Sequence, residues 1–460
     1  SNKYFPESDK VVWVGLQMFL KKLIEDFDEY FFKRDVDEIV AEYELYIHNT
    51  FDETADSSHI RELHAMGYLP LAIDSIEEGT LVPYRVPCAV VYNTHPNFAF
   101  LTNYLETLWS CSMWLPATSA TTAYLFRKII EAAVDKASDN KNWVRCGCGD
   151  FSYRGMASPD AAINSGAAFL TSFTKTSTIP AIQALCHYYN ADVTKEEVGS
   201  WSTSVEHSCT TSNFAMDGNE EDFFVRMLTE ICPNKPFSFV ADSYDYFAFL
   251  DVIVRKHKDL IVKHGNVRLR PDSGNPKLII VGTANEANEN STLEEKGSLR
   301  ILDEIFGHTL NSKGYKVING AKLVYGDAMT LQLVPEILKR MEEMGYAPEN
   351  VIFGVGSFSL QYRSRDSQGW AYKCTYAEID NKPIMVFKDP KTDREGGIAM
   401  KKSQKGMVFV FRNDAGEIEF QDGFTSETIP DNNLLRPVFR NGELLIDEDL
   451  ATIRNRLHNG

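Results

Sequence analysis

Residues 270–276 read Arg270-Pro271-Asp272-Ser273-Gly274-Asn275-Pro276, directly after Asn266-Val267-Arg268-Leu269, which we interpret as a short strand. Proline fixes its own φ angle and favours an extended backbone at the residue before it. Glycine permits a close approach between backbone and ligand. A cation, a carboxylate and a hydroxyl therefore stand at one strand end, which suits an anionic, hydroxyl-rich ligand such as a sugar phosphate. Taken alone, the stretch is more typical of a surface turn than of a ligand site.

Similar groupings of polar or glycine residues beside apolar runs occur at Val205-Glu206-His207-Ser208, Val240-Ala241-Asp242-Ser243-Tyr244-Asp245, Leu323-Val324-Tyr325-Gly326-Asp327 and Ile352-Phe353-Gly354-Val355-Gly356-Ser357. Segments with helical periodicity follow two of them, at Tyr246–Val254 and Thr330–Met344. Strands and helices that alternate in this way predict a parallel α/β barrel or open sheet. In such folds the site lies at the carboxyl ends of the strands.

Composition restricts the class of protein. The chain has 460 residues, which predicts two or three structural units, and a formal charge of -18, which disfavours nucleic acid or an anionic membrane as partner. A polyphosphate substrate must therefore meet a local cluster of Arg and Lys. Eight scattered cysteines, no signal-like segment and no long apolar run predict a cytoplasmic protein with reduced thiols.

The periodicity also predicts how the chain is organised. Residues 10–33 and 34–68 have helical patterns, 69–94 have strand patterns, and Thr102–Trp109 and Ala120–Val134 again have helical patterns. We expect an N-terminal α+β segment over 1–149, an α/β barrel-like catalytic domain over 150–369 and a β-rich C-terminal segment over 370–460. The polar stretch Gly282–Lys296 is either a lid or a solvated loop.

Seven segments, in order, resemble the type II phosphoribosyltransferase family in its nicotinamide branch: Asp150-Phe151-Ser152-Tyr153-Arg154-Gly155, Glu206-His207-Ser208, Asp242-Ser243-Tyr244-Asp245, Arg270 to Pro276, Asn311-Ser312-Lys313-Gly314-Tyr315-Lys316, Gly326-Asp327 and Val386-Phe387-Lys388-Asp389-Pro390. The resemblance implies an irregular parallel α/β barrel with a flanking mixed α+β domain built from both terminal segments. It implies the joining of nicotinamide to phosphoribosyl pyrophosphate. It also implies a homodimer whose two active sites are shared between subunits.

The resemblance further implies catalytic residues and cofactors. His207 matches the family's active-site histidine, which accepts a phosphoryl group from ATP as an optional energy coupler. Glu206 is expected to orient this ring or to help hold magnesium. Asp272 and Asp327 are expected to contact the ribose hydroxyls and Mg²⁺, which needs few carboxylates beside substrate phosphates.

Substrate contacts are implied in the same way. The candidate phosphate ligands are Arg154, Arg270, Arg365, Lys373 and Lys388, although a surface salt bridge would explain each of them alone. The two lysines are expected to serve the neighbouring subunit. Backbone amides are expected to face the ribose phosphate at Gly354, Gly356 and Ser357. Phe151 matches the aromatic residue that stacks on the pyridine ring, and further contacts fall at Asp245 and Gly326.

Some positions depart from the family pattern. Ser177 stands where the family has an aspartate that accepts from the carboxamide, and Trp201 and Ala241 stand where it has serines. An N-terminal Asp-Ser-Tyr-Lys segment is missing before Ser1-Asn2-Lys3, so we expect either a truncated or a divergent member. Two alternatives therefore stay open: a nicotinate phosphoribosyltransferase, and an inactive relative that acts as a binding protein.

Overall fold

The structure is a computed structural model that describes residues 4–326, 328–392 and 402–460, with the backbone of 394–395 and 398–399. Its strands, in chain order, are β1 (Lys10–Trp13), β2 (Leu71–Ser75), β3 (Thr80–Pro83), β4 (Ala89–Asn93), β5 (Cys148–Asp150), β6 (Lys175–Thr176), β7 (Thr203–Ser204), β8 (Phe237–Val240), β9 (Val267–Arg270), β10 (His308–Leu310), β11 (Lys316–Ile318), β12 (Lys322–Tyr325), β13 (Val351–Val355), β14 (Tyr376–Ile379), β15 (Lys382–Met385), β16 (Arg394–Glu395), β17 (Ile398–Ala399), β18 (Met407–Arg412), β19 (Ile418–Phe424), β20 (Arg436–Arg440) and β21 (Glu443–Leu444).

The α-helices are α1 (Leu16–Phe27), α2 (Val36–Thr50), α3 (Ser58–Met66), α4 (Phe100–Ala137), α5 (Trp143–Cys146), α6 (Pro159–Phe169), α7 (Ile179–Tyr188), α8 (His207–Asp217), α9 (Glu221–Arg226), α10 (Tyr246–Ala248), α11 (Lys258–His264), α12 (Pro276–Val281), α13 (Leu293–Phe306), α14 (Leu333–Glu343), α15 (Ser357–Leu360), α16 (Arg365–Gln368) and α17 (Leu450–Asn459). Short π-helical segments lie at Asp28–Phe32, Met227–Ile231 and Phe249–Val254, and 3₁₀ turns lie at Pro96–Phe98, Tyr153–Gly155 and Pro348–Asn350. None of the helices within the described residues has the length and apolar character needed to span a bilayer.

The chain clusters into two units, each described by itself. The first comprises Ser1–Thr118, Ala184–Ala191 and Ser364–Gly460, and the second comprises Ser119–Gln183 and Asp192–Arg363. The boundaries at 149/150 and 369/370 that the sequence suggests stay a prediction.

The second unit is built around a parallel sheet. Within the described residues seven strands pair in the order β6-β5-β13-β12-β9-β8-β7. The parallel bridge between Lys175 and Ser200 lies just before β7 and joins the two outer strands by backbone hydrogen bonds. The sheet thus curls into an irregular barrel, as the family resemblance implies, and this decides between the barrel and the open sheet that the alternating pattern allows. β8 and β13 are nearly continuous apolar runs and are buried throughout, as expected of parallel strands that are covered on both faces.

The first unit is the predicted flanking α+β part, made from both terminal segments. β2 pairs with β4 on one side and with β20 on the other, so N-terminal and C-terminal segments share one antiparallel sheet. The buried core includes Trp13, Leu71 and Phe439. The Asn441-Gly442 turn joins β20 to β21 with positive φ at both residues, which matches the twist of a two-residue hairpin.

Two local predictions are wrong in part. Residues 10–13 form strand β1, which pairs with β3, and the helix begins only at Leu16. The two helices expected over 102–109 and 120–134 are one helix, α4, which continues through Pro116. A proline removes one helical hydrogen bond, and the rest of a long buried helix offsets that loss.

The segment Gly282–Lys296 folds as a loop that is held by hydrogen bonds. Arg300 donates to the backbone carbonyls of Val281, Ala284, Asn285, Glu295 and Lys296. The loop ends at the capping box of Thr292 and Glu295, which starts α13. These contacts show how the loop is held in place, and a role as a lid stays a prediction.

Candidate active site

Polar side chains collect at the carboxyl edge of the parallel sheet. β8 and β9 pair with Val240 beside Arg270, so Asp242 and Asp272 follow the two strands at equivalent positions. His207 begins α8, and its Nε2 lies 3.7 Å from Asp242 Oδ1 and 3.8 Å from Asp272 Oδ2. The structure therefore brings the three predicted catalytic residues, Glu206, His207 and Asp272, into one cluster around Arg270.

Arg270 is the buried cation of this cluster, with a side chain that is 7% exposed. Its Nε lies 3.1 Å from Asp272 Oδ2, and its Nη2 lies 3.4 Å from Glu206 Oε2. Arg154 approaches the same Glu206 oxygen to 4.0 Å, but its side chain is 85% exposed. One guanidinium is thus fixed between two carboxylates, while the other is open to solvent.

Asp272 has an altered acidity. Burial raises the pKa of its carboxyl, the nearby Arg270 partly offsets this, and the Asp242 carboxylate raises the pKa again. Perturbed pKa values of this kind cluster at functional sites.

Asp242 is a member of the cluster that the sequence analysis did not assign. Its Oδ2 accepts hydrogen bonds from the backbone N–H groups of Asp272, at 2.8 Å, and Ser273, at 2.7 Å. The Ser273 hydroxyl donates to the same oxygen at 2.6 Å. Two signals for it were present in the sequence, its place two residues after a strand and its membership of the family segment Asp242-Ser243-Tyr244-Asp245, but aspartate is also an ordinary turn residue.

Glu220 was also missed, although it neighbours the cluster. It precedes α9, is buried, and its Oε1 has no hydrogen-bond partner among the described residues. Burial, with repulsion from Asp242 and Asp245, raises its pKa from 4.5 to about 7. The folded chain therefore keeps this proton up to near neutral pH.

We expect Glu220 to make the protein less stable as pH rises. Because the unfolded chain releases this proton near its usual pKa of 4.5 and the folded chain near 7, the free energy of unfolding falls through that window. Between pH 5 and pH 8, the free energy of unfolding of the parent protein should fall by about 2–3 kcal/mol more than that of Glu220→Gln, as measured by urea unfolding. The exposed Glu289→Gln serves as control. Equal pH dependence in parent and Glu220→Gln would show that this carboxyl does not retain its proton.

Phe151 forms a second part of the site, next to the ends of three strands. A Cβ atom on Gly326 would stand 2.7 Å from its ring, and one on Gly354 would overlap the ring. The ring meets Trp201 edge-on, with centroids 4.8 Å apart. Both glycines are therefore needed because the aromatic ring occupies the space of their missing side chains.

Trp201 closes the other side of this aromatic pair. A Cβ atom on Gly149 would stand 2.6 Å from its ring. Its Nε1 donates to the Ser204 hydroxyl at 2.8 Å, and Ser204 pairs with Ser238 at 2.6 Å. The indole is thus fixed in the barrel interior, where it limits the space beside Phe151.

Two other positions that depart from the family pattern, Ser177 and Ala241, differ in exposure. Ser177 is exposed, and its hydroxyl donates to the Asp150 carbonyl, one residue before Phe151, at 3.1 Å. Ala241 is fully buried and donates its backbone N–H to the Arg270 carbonyl. Ser177 is therefore placed near the aromatic pair, whereas Ala241 offers no exposed side chain to a substrate.

The remaining predicted residues have separate surroundings. Asp245 caps α10 by accepting from the Ala248 N–H at 2.9 Å, and Gly356 and Ser357 start α15. Asp327 lies outside the described residues. Three predicted phosphate ligands belong to the first unit and stay predictions: Arg365, Lys373 and Lys388.

The carboxylates present fit a magnesium ion that shares its ligands with a substrate. Mg²⁺ is commonly held by one or two carboxylates together with substrate phosphates. Asp272 offers a carboxylate that is 20% exposed, and the neighbouring Glu206 carboxylate is 50% exposed. No group of three or more His, Cys, Asp or Glu in the described part of the chain is arranged to hold a metal by itself.

Comparison with known proteins gives consistent matches. A sequence model of the nicotinate phosphoribosyltransferase (NAPRTase) family matches residues 146–443. The chain is 37% identical to the nicotinamide phosphoribosyltransferase of Acinetobacter baylyi, over 98% of this chain and 88% of that protein. It is 30% identical to the nicotinamide phosphoribosyltransferase of Xanthomonas campestris pv. campestris, over 97% of this chain and 90% of that protein.

One solved structure supports the fold. The crystal structure of human nicotinic acid phosphoribosyltransferase superposes with a TM-score of 0.53, covering 98% of this chain and 86% of that chain. The sequence identity is only 14%, so this likeness concerns the architecture. It agrees with the barrel and flanking α+β part described above.

Proposed function

The chain belongs to the nicotinate phosphoribosyltransferase family, and from this premise we propose that it joins nicotinamide to phosphoribosyl pyrophosphate in the salvage of NAD. The products are nicotinamide mononucleotide and pyrophosphate. The observation that carries the proposal is the buried Arg270, held between Glu206 and Asp272 beside His207. The names of the two bacterial relatives support nicotinamide over nicotinate as the base.

The reaction replaces one bond at the ribose C1 atom. The pyridine nitrogen attacks C1 while the bond from C1 to the pyrophosphate oxygen breaks, and the electron pair leaves with pyrophosphate. Phe151 stacks on the pyridine ring and fixes its nitrogen toward C1. Arg270 and Arg154 present positive charge to the phosphate oxygens. Asp272 contacts the ribose hydroxyls and, with Asp327, would hold magnesium.

Magnesium, when bound beside Asp272, supplies charge that stabilises the departing pyrophosphate. The proposal includes a homodimer, in which Lys373 and Lys388 serve the neighbouring site, and a cytoplasmic location. The family resemblance supports the homodimer, and eight scattered cysteines, which are typical of reduced thiols, support the location. The net charge of -18, which disfavours nucleic acid and anionic membranes, agrees with small-molecule substrates as the partners.

Product formation tests the proposed reaction. The protein is incubated with phosphoribosyl pyrophosphate, Mg²⁺ and either nicotinamide or nicotinate, and the nucleotide and pyrophosphate are quantified. We expect nicotinamide mononucleotide and pyrophosphate in equal amounts. The absence of nucleotide from both bases at high protein concentration would reject the proposal, and a preference for nicotinate would reject the assigned base.

His207 is proposed to couple ATP to this reaction. Its Nδ1 lies 3.2 Å from the Ser243 hydroxyl, and its ring is 44% exposed and so accessible to a phosphoryl donor. A nitrogen–phosphorus bond forms as the bond from the γ-phosphorus to ADP breaks, and ADP leaves. We expect His207→Ala to abolish ATP stimulation and phosphohistidine while slower synthesis without ATP persists. The exposed His187→Ala is the control, and undiminished substrate-coupled ATP hydrolysis in His207→Ala would contradict the role.

Ser177 is proposed to face the substituent of the base. An aspartate there would accept from a carboxamide and repel a carboxylate, an effect of roughly 1–3 kcal/mol. Ser177→Asp should therefore raise the nicotinamide-to-nicotinate ratio of kcat/KM about tenfold. Ser177→Asn, which has the shape without the charge, should raise it much less. An unchanged ratio in steady-state kinetics with both bases would place Ser177 away from the substituent.

A further inference from the structure

We infer that Asp242 is a positioning residue of this site, whose single buried carboxylate holds the loop that carries Asp272 and faces the imidazole of His207. The kinetic part of this inference rests on the proposed function. The structural part rests on hydrogen bonds alone and can be tested without any substrate.

The loop side of Asp242 is a set of converging donors. Its Oδ2 accepts from two successive backbone N–H groups and from the Ser273 hydroxyl, all within 2.8 Å. The Tyr325 hydroxyl binds the same loop from its carbonyl side, at 2.9 Å from the Ser273 oxygen and 3.3 Å from the Gly274 oxygen. Residues 272–274 are therefore held on both their amide and carbonyl groups. Hydrogen bonds to an ionised acceptor are about twice as strong as neutral ones, so Asp242 is the stronger of the two supports.

The imidazole side of Asp242 uses the other oxygen. Oδ1 has no hydrogen-bond partner among the described residues, and the side chain is 2% exposed, so water does not satisfy it readily. The His207 Nε2 lies 3.7 Å away, and a shift of about 1 Å gives a hydrogen bond. Ser243, the next residue, contacts Nδ1 of the same ring at 3.2 Å. Two consecutive residues, Asp242 and Ser243, thus lie beside the two nitrogens of one imidazole.

The register of the sheet explains why Asp242 lies between the loop that carries Asp272 and the imidazole of His207. Val240 and Arg270 are neighbours in the parallel pairing of β8 and β9, and Ser204 and Ser238 are neighbours in that of β7 and β8. The residues after β8 therefore lie between those after β7 and those after β9. Asp242 occupies this central place, with His207 on one side and Asp272 on the other.

The test combines amide hydrogen exchange with kinetics. Asp242→Ala removes both oxygens, whereas Asp242→Asn keeps a carbonyl oxygen for the loop amides and loses the charge. The control is Asp139→Asn, because Asp139 also accepts from a serine, from the Ser312 N–H on Oδ2 at 2.7 Å and from its hydroxyl on Oδ1 at 2.6 Å, away from the sheet's carboxyl edge. Exchange is read on the peptide that contains the Asp272 and Ser273 amides, and kcat and the KM of the base are measured on the same preparations.

For Asp242→Ala we expect the two amides to exchange at least about tenfold faster and kcat to fall about a hundredfold, since misplacement by about 1 Å costs that much. The KM of the base should stay within about threefold, because Phe151, which is proposed to stack on the base, follows β5, whereas Asp242 follows β8. Asp242→Asn should keep exchange near the parental rate and lose only about tenfold in kcat. Asp139→Asn should match the parent.

Parental exchange or a kcat within about twofold of the parent in Asp242→Ala would overturn the inference. If Asp242→Ala fails to fold, Asp242→Asn decides: a reduced kcat with parental exchange supports positioning, and an unchanged kcat rejects it. If the parent itself makes no nucleotide, the proposed function fails, and the exchange comparison still decides whether Asp242 holds the loop.

Discussion

Asp272→Asn should lower kcat by about a hundredfold or more while the protein keeps its fold. The substitution preserves the shape of the side chain. It also preserves the backbone N–H that donates a hydrogen bond to the Asp242 carboxylate, so the loop stays in place. It removes the charge that lies 3.1 Å from Arg270 and 3.8 Å from His207. A neutral amide neither holds magnesium as a carboxylate does nor balances the buried guanidinium.

The measurement is steady-state synthesis of the nucleotide at saturating substrates, together with thermal unfolding. Asp251→Asn is a matched control, because Asp251 is a helical aspartate paired with Arg255 at 2.6 Å away from the sheet's carboxyl edge. It should retain full turnover. A turnover of Asp272→Asn within about twofold of the parent would remove Asp272 from the catalytic residues.

Arg270→Ala should lower kcat/KM for phosphoribosyl pyrophosphate by about a hundredfold or more. Truncation removes the buried cation that lies between Glu206 and Asp272, and leaves those carboxylates to repel each other and the incoming phosphates. Because the chain already carries a formal charge of -18, the overall field does not replace a lost local cation.

Arg270→Lys separates charge from geometry. A lysine keeps one positive charge but cannot present the planar fork that approaches both carboxylates, so we expect an intermediate loss of about tenfold. Arg255→Ala removes a surface guanidinium and should leave kcat/KM unchanged. Equal activity of parent and Arg270→Ala would show that the phosphates bind elsewhere.

The barrel is the part of the fold that sequence reasoning predicts best. Apolar runs such as Phe237–Val240 and Val351–Val355 are fully buried strands, and polar residues follow them where the alternating pattern places the carboxyl edge. The N-terminal prediction was weaker. Lys10–Trp13 continues the helical pattern of α1, and only its pairing with Thr80–Pro83 makes it a strand.

The site was predictable where a residue type is uncommon in turns and ambiguous where it is common. His207 and Arg270 stand out at strand ends, whereas Asp242 has the composition of a turn. Its role depends on the register between β8 and β9, and no single strand contains that information. Glu220 depends in the same way on burial by distant elements. Pairing and burial are tertiary properties, which local patterns do not specify.

The order of strands in the barrel also determines when, during folding, Phe151 can meet Gly354. β5 lies beside β13, with Cys148 paired to Phe353 about 200 residues later in the chain. Phe151 therefore meets Gly354 only after residue 355 has been synthesised, and α-helices such as α4 and α6 can form long before that. Pairings between distant segments close slowly because a long loop must first be ordered. During refolding, catalytic competence should be recovered after the helical circular dichroism signal.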